Sequence, residues 1–116
     1  MKLLLTSAGV KNRSIHDELV ELLGKPIAQA TALAIPTASY GHPEVSPEVA
    51  LQFLTGDSCT PMCELGWRSV GILELTALPS IAEDRWMTWV QDADVLLVNG
   101  GDALYLCHWM RQSGLA

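Results

Sequence analysis

At 116 residues, with 49% apolar and 17% charged residues, the chain has material for one hydrophobic core, and without low-complexity runs or a Pro/Gly-rich linker it falls outside the disordered and fibrous classes. A net charge of −6 with no cluster of Lys and Arg excludes a phosphate-backbone partner, so no nucleic acid is expected. The longest apolar runs, "LLL" at 3 to 5 and "VLLV" at 95 to 98, fall far short of the roughly 20 residues that span a bilayer, so no membrane partner is expected either.

In chain order, "KLLLTSA" (2 to 8) reads as a first buried strand rather than a signal peptide. Its apolar stretch is short, and Lys11 and Arg13 follow at once, which points to a cytoplasmic protein. A helix follows near Ser14, read as its N-cap, with Ile15, Leu19, Leu22 and Leu23 on one face, Asp17 and Glu18 in the first turn, and Gly24 as its stop. "TALAIPT" (31 to 37) is the second strand. Residues 46 to 54 give a helix with Ser46 as cap and Pro47 at its first position, and "MCELG" resumes a turn.

"SVGILEL" (69 to 75) is the third strand. Ser80 with Glu83 three residues on forms a capping box for a helix carrying Ile81, Trp86, Trp89 and Val90. "DVLLVNG" (94 to 100) is the fourth strand, and a helix from about Asp102 to Gln112 ends before Gly114. Aliphatic strands alternating with helices over short connections predict an α/β fold, a three-layer α/β/α, Rossmann-like arrangement with a mainly parallel sheet. Ligands of such sheets bind beyond the carboxyl ends of the strands.

Three turns lie there: "TSAGVKN", "PTASYGHPE" and "NGGDA". In the last, the amides of Gly100, Gly101 and Asp102 can face an anion or a developing oxyanion; the plainer alternative is a tight turn with Asp102 as helix cap. Ser7 resembles the tail of a G-x-S-x-G elbow, but Leu5 holds the place of the first glycine, which weighs against a nucleophile there. His16, His42 and His108 share no metal-ligand spacing, and His42 with Cys59 and Cys63 makes only a weak zinc set, so neither metal nor cofactor is expected. The three cysteines are odd in number and read as reduced thiols, with Cys107 on the apolar side of the last helix. The four tryptophans read as packing residues.

Four segments together, "TSAG", "IPTAS", "LGWRSVGILEL" and "DADVLLVNGGDALYLCHWMRQSGL", resemble the peptidase E family of serine peptidases, which includes aspartyl dipeptidases and cyanophycinase relatives and has a class I glutamine amidotransferase-like fold. The resemblance runs along residues 1–116 as a single α/β domain and implies that they correspond to the amino-terminal portion of such a protein, incomplete at the C-terminus. It implies a hydrolase of small peptides, with Gly100 and Gly101 supplying oxyanion-hole amides and with Asp102, Ser7 and Gly9 at the substrate. The elbow serine, its histidine and its acid have no counterpart in these residues, so the chain alone is expected to be inactive. Asn99 stands where the family commonly has glycine, and Asp102 where it commonly has asparagine. The alternative is a noncatalytic α/β domain that binds a small anion or self-associates. An exposed apolar sheet edge is expected either to pair with another copy, as a homodimer or other edge association, or to leave the chain marginally soluble.

Overall fold

A computed structural model describes residues 2–6, 9–41, 47–56 and 61–115. The elements are α1 (Arg13–Leu23), β1 (Thr31–Ile35), α2 (Thr37–Tyr40), α3 (Pro47–Thr55), β2 (Ser69–Ile72), α4 (Glu83–Asp92), β3 (Val95–Val98) and α5 (Ala103–Gln112). Short 3-10 turns at Ile27–Gln29 and Leu75–Ser80 precede β1 and α4. The strands form a three-stranded sheet in the order β2-β1-β3. Both pairings are parallel, with Leu33 opposite Gly71 on one side and Leu96 on the other. This is a small α/β domain, as the alternating pattern predicts.

The central strand explains its own sequence. Successive residues of a strand face opposite ways, so a strand buried on both faces must be apolar throughout. Ala32 and Ala34 join Leu19, Ile27, Phe53, Trp67 and Leu97 in one core cluster. Ile35, with Leu33 beside it, belongs to a second cluster of Leu73, Leu75, Leu78 and Trp86, against which Trp109 and Met110 also pack. The alanines leave room for the bulk of Phe53, which is fully buried. Gly71 serves the second cluster in the same way, since a Cβ there would lie 2.8 Å from Leu33 Cδ2.

The start of the sheet is pinned by charge. Asp94 accepts from the Thr31 amide at 2.8 Å and from Lys25 Nζ at 2.9 Å, while its own amide donates to the Thr31 carbonyl at 2.9 Å. These contacts hold the Asp94 carboxyl below its ordinary pKa, the Thr31 amide contributing most and Lys25 next.

Several local expectations are corrected. Residues 2–6 form no strand: Leu4 packs against the first cluster, while Leu3 and Leu5 are 69% and 88% exposed. Leucine has no special preference for a strand, and one anchoring side chain holds the segment without a ladder. The α1 cap is Asn12, whose Oδ1 accepts from the Ile15 amide at 2.9 Å; Ser14 only donates to that same oxygen. The helix therefore begins earlier, and Asp17 and Glu18 fall outside its first turn. Ser80 caps nothing, because its hydroxyl donates to the Ala77 carbonyl inside the preceding 3-10 turn and α4 starts after Ala82 without a side-chain cap. Gly24 closes α1 in the left-handed conformation at φ 72°, as expected. The proposed cap Ser46 lies outside the described residues.

Candidate functional site

The carboxyl ends of β1 and β3 meet in a polar junction. Beyond β1 the chain turns at Pro36 into the single turn of α2, with Thr37, Ala38 and Ser39 buried. Beyond β3 comes Asn99, also buried, whose amide continues the ladder by donating to the Ile35 carbonyl at 3.1 Å. Its side-chain Nδ2 donates to Ser39 Oγ at 3.0 Å, and Ser39 Oγ donates to the Gly100 carbonyl at 3.3 Å. Buried polar groups are retained where each is paired, and this chain of bonds does so for both residues.

Gly101 follows at φ 149°, and a Cβ there would lie 2.2 Å from the Ala38 carbonyl oxygen. Only glycine fits this close crossing of two backbones. The Asp102 amide then donates to the same Ala38 oxygen at 2.9 Å, and the Asp102 side chain accepts from the Tyr105 amide at 2.8 Å, capping α5. The amides of Asn99 and Asp102 are thus used within the fold. Among the described residues, those of Gly100 and Gly101 donate to no carbonyl or side chain, and both glycines are exposed.

Beside this junction the chain just beyond β2 contributes Glu74, which caps the 3-10 turn that follows. Its Oε1 accepts the Thr37 hydroxyl at 2.6 Å, and Thr37 Oγ1 accepts the Leu75 amide at 3.1 Å. The carboxyl ends of all three strands are linked side chain to backbone across two adjoining groups.

Of the residues singled out in the sequence, Gly9, Gly100 and Gly101 line one cleft of about 1210 Å³, together with Ser39 and Asn99. The opposite wall is residues 2–6, facing the open side of β3. Gly9 is buried and takes φ 74°, and the next amide, that of Val10, donates to the Pro61 carbonyl at 2.8 Å. Asp102 is turned to its helix cap, and Ser7 lies outside the described residues. His42 and Cys59 also lie outside them. Among the described residues no group of three His, Cys, Asp or Glu side chains gathers in metal-binding geometry, and no helix is long and apolar enough to cross a membrane.

Cys107 is exposed, contrary to its expected burial, because α5 buries none of its residues fully and turns Leu106, Trp109 and Met110 inward instead. Cys63 is half-buried, and burial, with Glu64 adding to it, pushes its thiol up to about 11. Sequence reasoning missed Thr37, Ser39, Asn99 and Glu74 as a network. Its signal was the hydroxyl-rich "PTAS" at the end of an apolar strand, where hydroxyls find no use unless bonded. No protein-family model, curated protein or solved structure matches the chain.

Proposed function

We propose that this chain forms the oxyanion side of a peptidase E-like serine hydrolase acting on small peptides, built on the three-layer α/β/α plan of class I glutamine amidotransferases and working in the cytoplasm, where free thiols such as Cys63 and Cys107 persist. One observation carries the reading: the amides of Gly100 and Gly101 are unspent among the described residues, in a turn whose flanking amides and side chains are all committed to holding it. Oxyanion stabilisation requires such donors, fixed before the charge develops. Gly9 on the same cleft lets a peptide backbone approach, while Asp102 next to Gly101 caps α5 and holds the turn.

No described serine is bonded to a histidine, so the reading assigns this chain no nucleophile. It is tested on the complete natural gene product with Asp-Xaa and other dipeptides, alongside Gly100→Pro, which deletes one donor. A hundred- to thousandfold loss in kcat, on the order expected for one oxyanion donor, supports it. Absence of serine-dependent turnover overturns it.

The same amides, unspent among the described residues, also favour a noncatalytic site for a small anion. Asp102, one residue beyond, disfavours a fully charged ligand by repulsion but tolerates a neutral carbonyl that gains charge only during reaction. Phosphate-induced NMR shifts at Gly100 and Gly101 without turnover by the gene product would favour the anion reading.

A further inference from the structure

The open edge of β2 is shaped for a second copy of itself. Among the described residues β2 pairs only with β1, so one side of Ser69–Ile72 carries no described strand. The Leu73 amide donates to the Ala34 carbonyl at 2.8 Å, and polar groups of a strand alternate sides, so the amides and carbonyls of Val70 and Ile72 point outward. An outward edge of this kind is normally shielded by charge, proline or a bulge on the strand itself. Here its two outward residues are apolar and stand exposed, Val70 at 39% and Ile72 at 58%. Trp89 of α4, 40% exposed, flanks the same edge over an open hollow of about 500 Å³ lined also by Val70, Gly71 and Ile72.

We propose that two copies join these edges antiparallel about a two-fold axis at Gly71, extending the sheet across the dimer. Registers that match outward groups to outward groups place the axis at Val70, Gly71 or Ile72. Only the axis at Gly71 sets Val70 against the partner's Ile72, forming a hydrogen-bonded pair of apolar residues twice over. The same register sets exposed Arg68 against half-buried Glu74, opposite charges just outside the apolar pairs, with Glu74 Oε1 also holding the Thr37 hydroxyl of its own copy. With the axis at Val70, Arg68 would face Ile72; with the axis at Ile72, Glu74 would face Val70. The Arg68 amide still bonds the Ala30 carbonyl at 3.0 Å, so its contribution to the dimer is the guanidinium alone. A two-fold interface needs a surface complementary to itself, and this strand, with a cation before it and an anion after it, has that property.

The test is analytical ultracentrifugation of the 116-residue chain from about 1 to about 200 µM, with amide hydrogen exchange at each concentration. A dimer is expected, with exchange at Val70 and Ile72 slowing as concentration rises. Ile72→Lys, at a solvent-facing position, should give a monomer with unchanged circular dichroism. Arg68→Glu, which places like charges together twice, should raise the dimer Kd roughly tenfold. A monomer throughout, a dimer indifferent to Ile72→Lys, or a dimer without slowed exchange at Val70 and Ile72 overturns the proposal. None of these outcomes bears on peptide hydrolysis.

Discussion

Thr37 donates its hydroxyl proton to Glu74 Oε1 at 2.6 Å and accepts the Leu75 amide on the same oxygen, so a single side chain ties the end of β1 to the end of β2. Thr37→Val keeps the shape and removes both bonds, leaving the buried Leu75 amide unpaired. The expected cost is about 1–3 kcal/mol, read as a lower urea midpoint at an unchanged slope.

Gly101 is a stricter position. Alanine there must displace the Ala38 backbone and also adopt a positive φ. Gly101→Ala should lose on the order of 2–4 kcal/mol, whereas Gly100→Ala, where a Cβ meets nothing within 4 Å, should lose far less. Equal costs in thermal unfolding of the two variants would show that the crossing of these backbones is looser than described.

The Asp94 carboxyl has a folded-state pKa below its ordinary value of 3.8. A depressed acid contributes stability above its unfolded pKa, and that contribution is lost as pH falls through the folded one. Acid unfolding should therefore include a phase that begins just above the ordinary carboxylate range and continues below it. Asp94→Asn should flatten that phase and leave stability from pH 6 to 8 without a slope of its own. Denaturation midpoints followed against pH in both proteins check this.

The two described cysteines should differ in reactivity. With its thiol raised to about 11, Cys63 presents roughly one thiolate in a thousand at pH 8, and it is half-buried as well. Cys107 stands exposed on α5. Timed alkylation followed by peptide mass mapping should show Cys107 modified well before Cys63 in the folded protein, with the difference vanishing in denaturant.

Strands β1, β2 and β3 and helices α3 and α5 were legible because their signals are redundant: aliphatic runs of strand length, Pro47 at a helix start, Asp102 before a helical pattern. The misreadings fall where two local solutions compete for one group. Ser14 has the residue type of a cap, yet Asn12, two residues earlier, takes the Ile15 amide, a choice that the path of the chain decides. Ser80 satisfied the spacing of a capping box, yet a 3-10 turn took its hydroxyl first. "KLLLTSA" had the composition of a strand, but a ladder also needs a partner edge at the right place, which no window of sequence contains. At the site, "NGGDA" announced itself through its glycines. The bond from Asn99 to Ser39 joins residues far apart in the chain and followed only from the sheet order.

That order has a consequence during synthesis. β1 lies in the middle, and its second neighbour arrives late: Ala32 pairs with Val95, made on the order of 60 residues later, or roughly 3–12 s at ribosomal rates. Through that interval the most buried strand of the domain has at best one flank covered. A nascent chain of this kind depends on holdase protection more than its size suggests, and its yield should respond to translation speed and chaperone supply before it responds to any change in final stability.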